Sequence, residues 1–209
     1  MLADSTSALI KRARDQDATA IGELLSKYRD RLRRFVDIRM DDRLRGRIDP
    51  SDVIQETCLA ATRQMPDYFE QEGMPFYIWL RLVAAQKLVG LHRHHLSVKA
   101  RNARRDVRSF TALPGASSAL LAVQLLGRTT GPSQAAIRAE QQRRLKEVLD
   151  GMAPAEREII VLRHFEQLSN SEAAKLMGWN ESTTSTRHLR ALKRLKTIVA
   201  SMPEFRDLI

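Results

Sequence analysis

Residues Met152 to Leu195, MAPAEREIIVLRHFEQLSNSEAAKLMGWNESTTSTRHLRALKRL, admit very few folds. The spacing predicts one helix followed by two shorter ones hinged at a glycine. Ser169 stands where a hydroxyl accepts an N–H from the first turn. Glu172, three residues on, reaches back to the Ser169 N–H, and the reciprocal pair is a capping box. Ala173, Ala174, Leu176 and Met177 supply an apolar face, and Gly178 ends the helix, because glycine accepts the left-handed conformation that closes helices. The next helix carries Ser182, Thr183, Ser185, Thr186, Arg187, Arg190, Lys193 and Arg194, with no acid in it after Glu181. Hydroxyls and cations on one element suit a helix lying in a DNA major groove. The pattern is a helix-turn-helix and predicts a DNA reader.

Charge agrees with that reading. The 209-residue chain has 35 Lys and Arg against 25 Asp and Glu, a formal net charge of +10, as expected of a protein drawn to phosphate. A solvated basic surface would give the same total, so local clustering has to decide. At 43% hydrophobic residues there is material for ordinary cores in one or two domains. Cys58 is the only cysteine, which excludes an internal disulfide and a cysteine-based zinc site. The opening MLADSTSALIKRARDQD lacks the apolar run of a signal peptide, and no apolar segment is long enough to span a bilayer. A soluble cytoplasmic protein is expected.

The first part of the chain reads as helical. Ile21, Leu25, Tyr28, Leu32 and Phe35 recur at spacings of three and four, while Lys27, Arg29, Arg31, Arg33 and Arg34 fill the other face. Asp49 then serves as N-cap, with Pro50 preset at the first helical position and Asp52 near the positive end of the dipole. In the helix so opened, Ile54, Cys58 and Ala61 share one face; Asp52, Gln55, Glu56 and Leu59 share another. An acidic and polar face in a basic protein is either plain solvent exposure or a docking surface for a partner.

A third helix starts near Pro75, with Phe76, Trp79, Leu80, Val83 and Ala84 turned inward. It runs into KLVGLHRHHLSVKARNARRDVR, where Lys87, Arg93, Lys99, Arg101, Arg104, Arg105 and Arg108 meet one acid, Asp106. So dense a run supplies phosphate contacts and a steep salt dependence. His92, His94 and His95 have no cysteine or carboxylate cluster nearby, so they read as polar helix surface touching nucleic acid and not as a metal site. From residue 109 to 133 the composition shifts, and Pro114, Gly115, Gly127, Gly131 and Pro132 mark an interdomain linker. Within it Ala119 to Leu126 reads as a short apolar helix capped by Ser118 and ended by Gly127, in need of cover. A long helical pattern then resumes through Ile137, Leu145, Val148 and Leu149.

Three segments in this order resemble the extracytoplasmic-function (ECF) class of bacterial sigma factors, the promoter-specificity subunits of RNA polymerase. DPSDVIQET looks like the family's polymerase-docking helix, FYIWLRLVAAQKL like the helix that helps melt the −10 promoter element, and LDGMAPAEREIIVLRHFEQLSNSEAAKLMG like the C-terminal domain that binds the −35 element. The resemblance covers nearly the whole chain. It implies an all-α protein: a region 2 bundle over residues 1–108, a linker over 109–133, and a region 4 helix-turn-helix domain over 134–209.

Site residues follow from the same resemblance. Asp49, Asp52, Val53, Gln55, Glu56 and Leu59 would bind the clamp helices of the polymerase large subunit. Trp79, Lys87, Arg93, His94, Lys99, Arg101, Arg104 and Arg105 would hold −10 DNA as it opens, with a base flipped out of the stack into a nearby loop. Ser182, Thr183, Ser185, Thr186, Arg187, Leu189, Arg190 and Lys193 would engage the −35 element, Arg190 reading a guanine edge and Arg187 facing phosphate. No cofactor, metal, catalytic residue or membrane insertion is implied. A separate anti-sigma factor and control of expression are both open as regulation.

The chain departs from the family at Gln86 and Gly90, in place of an asparagine and an aspartate, and in the histidine-rich LHRHHL. Thr184 and His188 stand where the family places apolar residues, so either that face packs loosely or His188 finds a buried partner, the commoner outcome for a histidine so placed. Two rival classes fit less of the chain. A conventional helix-turn-helix regulator needs a ligand or phosphoacceptor domain upstream, where only basic helices occur. A nucleic-acid enzyme needs a P-loop, HExxH, nucleophile elbow or carboxylate cluster, and none is found.

Overall fold

The computed structural model of the protein describes residues 2–71, 73–96, 115–127, 135–203 and 205. The chain divides into two compact units, Met1–Pro114 and Gly115–Ile209. Among the described residues both are helical and neither contains a strand.

The first unit begins with α1 (Leu2–Arg14), followed by α2 (Ala18–Arg39) and a single turn, α3 (Asp42–Arg45). It continues with α4 (Pro50–Arg63), a short α5 (Met65–Phe69) and α6 (Phe76–Leu96). Side-chain caps start α2, α3 and α4: Asp17 accepts the N–H groups of Thr19 and Ala20, Asp41 that of Arg43, and Asp49 that of Ser51. The packing α1 on α2, α2 on α4 and α6, and α4 on α6 encloses one core. Leu24, Leu32 and Phe35 enter it from α2, Ile54 and Ala61 from α4, and Leu80, Ala84 and Leu88 from α6. Each of the larger side chains contributes about 1.5 to 3 kcal/mol on leaving water.

The expected α2 stripe is present, with Leu25, Leu32 and Phe35 buried and Ile21 and Tyr28 packed at the edge. Arg31 leaves the expected exposed face: half-buried, its guanidinium lies 3.7 Å over the Tyr77 ring. More unexpected are Arg39 and Arg81, each 2% exposed. Their guanidinium groups stack over Phe35 at 5.7 and 4.7 Å, so a cation is brought inside against an aromatic face.

The second unit contains α7 (Ser118–Leu126) and α8 (Ala135–Asp150). After them come α9 (Pro154–Ile160), a π-helical turn over Val161–Phe165, α10 (Asn170–Met177) and α11 (Glu181–Ala200). Residues 109–114 and 128–133 of the expected linker lie outside the described residues. Between them α7 packs along α8, burying Leu121 and Ala122, so the second unit itself covers this apolar helix. Its N-cap is Ser117, not Ser118; Ser118 is buried and donates to the Asp150 carboxylate at 2.5 Å. Ile137, read as part of the α8 stripe, is 61% exposed. The expected lengths also invert, because α9 has 7 residues before the π-helical turn and α11 has 20.

Candidate nucleic-acid and protein-docking surfaces

The helix-turn-helix is built as its sequence dictates. The Glu172 N–H donates to the Ser169 hydroxyl at 3.1 Å, and the Ser169 N–H donates to the Glu172 carboxylate at 2.8 Å. Gly178 takes φ 67°, in the left-handed region, and the N–H groups of Gly178 and Trp179 both donate to the Ala174 carbonyl. Asn180 then caps α11 by accepting the Thr183 N–H at 2.7 Å. The Asn170 side-chain amide donates to the Glu181 carbonyl at 2.9 Å, tying the two helix starts together.

Helix α11 turns Thr184, Ala191 and Leu195 into the unit, with His188 half-buried on the same stripe. Thr184 is fully buried and satisfied, its hydroxyl donating to the Asn180 carbonyl at 2.9 Å. His188 does find a partner: its Nε2 is 2.9 Å from the Nε2 of His164 in the π-helical turn. That partner is exposed and not buried as expected.

The opposite face of α11 carries the residues read as DNA contacts. Ser182, Ser185, Thr186, Arg187, Leu189, Arg190 and Lys193 are exposed, Leu189 by 64%, and Thr183 is half-buried. Arg187 lies over the Trp179 ring, its guanidinium carbon 4.3 Å from the centroid. Arg194, one of the basic residues of this helix, instead pairs with Glu156 at 2.9 Å and fastens α11 to α9.

In the first unit α4 exposes Asp49, Asp52, Gln55, Glu56 and Leu59, the last by 61%. An exposed leucine on the same helix as exposed acids and an amide is the composition of a contact surface. The N–H of Ser51, 2.6 Å from the Asp49 carboxylate, holds that carboxyl below its usual range. Val53 does not belong to this surface. It is 2% exposed and faces the core, because it stands one position round the helix from Asp52. Thr57, unnoticed in the sequence, is fully buried with its hydroxyl donating to the Val53 carbonyl. Cys58 is half-buried, and burial pushes its thiol up.

Helix α6 buries Phe76, Trp79, Leu80, Val83 and Ala84 as expected, and Tyr77, Ile78, Arg81, Ala85, Leu88 and Val89 as well. Trp79 as a nucleic-acid contact is largely withdrawn: it is 4% exposed and packed between Tyr68 and Phe76, with ring centroids 5.0 and 5.6 Å away. Aromatic packing of that kind outweighs a role at the surface. Its remaining edge lines a cavity of about 200 Å³ with Gln64, Asp67, Gln71, Leu82, Val83 and Gln86. The sequence reading did not single out this cavity, whose local signal was the pair Gln64 and Gln71 flanking Met65–Phe69.

Lys87 is half-buried and pairs with Glu56 at 3.6 Å, which links the acidic face to the start of the basic run. Arg93 is half-buried and His94 exposed. Lys99, Arg101, Arg104 and Arg105 lie outside the described residues. His92 accepts the Asp41 N–H at 3.4 Å, and burial is the main cause of its lowered pKa. Among the described residues no three His, Cys, Asp or Glu side chains converge as metal ligands, and no helix is long and apolar enough to cross a membrane.

Comparison with known proteins matches both units. A family model for sigma-70 region 4 covers residues 142–195. The chain is 30% identical over 207 residues to the ECF RNA polymerase sigma factor SigD of Mycobacterium tuberculosis, covering 98% of this chain and 89% of SigD. It is 27% identical over 201 residues to the ECF RNA polymerase sigma factor BldN of Streptomyces coelicolor, covering 94% of this chain and 68% of BldN. Among solved structures, CnrH in complex with the cytosolic domain of CnrY aligns over 95% of this chain and 99% of CnrH. The TM-score is 0.54 at 21% identity, a likeness of fold.

Proposed function

The chain belongs to the ECF RNA polymerase sigma factors, and we propose that it carries core RNA polymerase to promoters through three surfaces of its own. The observation that carries this reading is the exposed face of α11, where hydroxyls and cations project together from a rigidly capped turn. Arg190 reads a base edge in the −35 element, Ser185, Thr186 and Leu189 contact its neighbours, and Arg187, Ser182, Thr183 and Lys193 fix the register on the phosphates.

The exposed face of α4 docks on the clamp helices of the large subunit. Leu59 supplies its apolar centre and Asp49, Asp52, Gln55 and Glu56 the polar surround, while Val53 supports the surface from the core. The −10 strand is held by Lys87, Arg93 and His94 and by the basic run beyond them, Lys99, Arg101, Arg104 and Arg105. The cavity between Gln64, Asp67, Gln71 and Gln86 receives one extruded base. Its amides and carboxylate complement a base's polar edge, and Trp79, Leu82 and Val83 complement its face.

On this reading the protein performs no reaction of its own; the chemistry is the polymerase's, and the protein acts in the cytoplasm. A separate anti-sigma protein is proposed as its regulator. The test is to incubate the chain with core polymerase and genomic DNA and sequence the transcripts. Discrete start sites sharing upstream elements are expected. A chain that neither binds core polymerase nor yields discrete starts overturns the proposal.

A further inference from the structure

Trp179 occupies the turn between α10 and α11, and that turn is rigid. Gly178 in the left-handed region sends the chain round, the Trp179 N–H is held by the Ala174 carbonyl at 3.0 Å, and Asn180 immediately caps α11. The main chain of Trp179 is therefore held on both sides, by its own N–H and by the Asn180 side-chain cap, and the residue is half-buried. Arg187 stands further along α11, and helical side chains lean toward the N-terminus of their helix. It reaches back so that its guanidinium lies 4.3 Å over the indole ring.

An exposed arginine ordinarily moves among many rotamers, and ordering it on a phosphate costs entropy at the moment of binding. A guanidinium stacked on an indole is already ordered. Stacking occupies only the flat face of the group, and the N–H donors lie in its plane. The edges therefore stay available to phosphate oxygens while the face is held. No ion pair to a described carboxylate competes for Arg187.

We propose that Trp179 is a positioning residue for DNA binding, its indole holding the Arg187 guanidinium edge-out to meet a backbone phosphate. This rests on the reading of α11 as the promoter-reading helix. It adds that an aromatic residue in the turn, which itself reads no base, tunes sequence-independent affinity.

The test is binding of the full chain to a short fluorescein-labelled duplex of mixed sequence, followed by anisotropy across a salt series. Such a probe is enough because a phosphate contact carries no sequence information. Trp179→Leu is expected to lose roughly two- to fivefold in affinity and to flatten the salt dependence. Trp179→Phe, which retains an aromatic face, is expected to stay near the parent. In an Arg187→Ala background Trp179→Leu is expected to add no further loss. A loss that persists undiminished in that background, or Trp179→Leu binding as the parent does, overturns the proposal.

Arg187→Lys leaves the turn untouched and keeps the charge while removing the flat stack. It is expected to lose about as much as Trp179→Leu, and parental affinity in this variant overturns the proposal even if Trp179→Leu folds poorly. A parent chain without salt-dependent duplex binding would instead refute the DNA-reading role of α11.

Discussion

The Nε2 atoms of His164 and His188 lie 2.9 Å apart, joining the π-helical turn to α11 through a single shared hydrogen. One imidazole donates and the other accepts, an arrangement open only while at least one ring is neutral. Arg163, beside His164, donates to the Leu168 carbonyl and adds positive charge to the neighbourhood. The π-helical turn has a role here: a widened turn re-aims side chains, and such turns recur where a residue must reach an unusual position.

That pair sets an expected pH response. Partial desolvation against α11 lowers the pKa of His164 from its ordinary 6.5, with the Arg163 charge adding to the effect. Burial likewise lowers His188, helped by His164 and Arg163. The native state then binds fewer protons than the unfolded chain just below pH 6.5, so stability rises with pH through that window. Above the ordinary value the contribution is complete; it is lost as pH falls toward the lowered native values. Thermal midpoints taken across this range are expected to drop on acidification, and His188→Leu should flatten that part of the profile. An unchanged slope in the variant refutes the assignment.

Arg190 and Arg187 are expected to differ in kind. Arg190→Ala should relax preference at one position of the −35 element, with about 1 to 3 kcal/mol of discrimination lost. Arg187→Ala should weaken binding to all sequences alike and reduce the salt slope by about one. Competition between promoter and mixed-sequence duplexes at two salt concentrations separates these outcomes. Identical behaviour of the two variants contradicts the division of roles.

Local signals were the ones legible in the sequence. The Ser169 and Glu172 box, the Gly178 stop, the Asp49 and Pro50 start and the inward aromatics of α6 each depend on residues a few positions apart, and each forms as read. Pairings set by tertiary packing were not legible. Val53 lies beside buried Ile54 between the exposed Asp52 and Gln55, and it is the packing of α4 on α2 and α6 that turns it inward. No local pattern marks Arg81 for burial, because the Phe35 ring it lies over belongs to a different helix. The partner of His188 lies 24 residues away on an element whose π-helical winding no local pattern announces.

The α4 surface yields a contrast between neighbours. Leu59→Ala should leave stability near parental, because the side chain is 61% exposed, while weakening association with core polymerase. Val53→Ala should do the reverse: burial at 2% makes the lost methyls and residual cavity cost roughly 2 to 3 kcal/mol, with the docking surface left in place. Urea denaturation and a polymerase binding assay measure the two effects separately. Weakened polymerase association in correctly folded Val53→Ala, with none in Leu59→Ala, would show that the surface has been assigned to the wrong residues.

Thr184 tests whether a polar residue on the buried stripe of α11 is needed there. Its hydroxyl donates to the Asn180 carbonyl, but the same carbonyl already accepts the Thr184 N–H at 3.0 Å. Removing the hydroxyl therefore leaves no buried acceptor without a donor, which is the situation in which losing a hydrogen bond costs least. Thr184→Val keeps the β-branched shape and adds apolar surface in a fully buried position. Its stability is expected to fall within about 1 kcal/mol of the parent, with duplex affinity unchanged because the exposed face of α11 is not altered. Thr184→Ala removes volume as well and is expected to be the less stable of the two. A loss in Thr184→Val well above that range and as large as in Thr184→Ala, measured by urea denaturation, would mean that the hydroxyl and not the packing secures the start of α11.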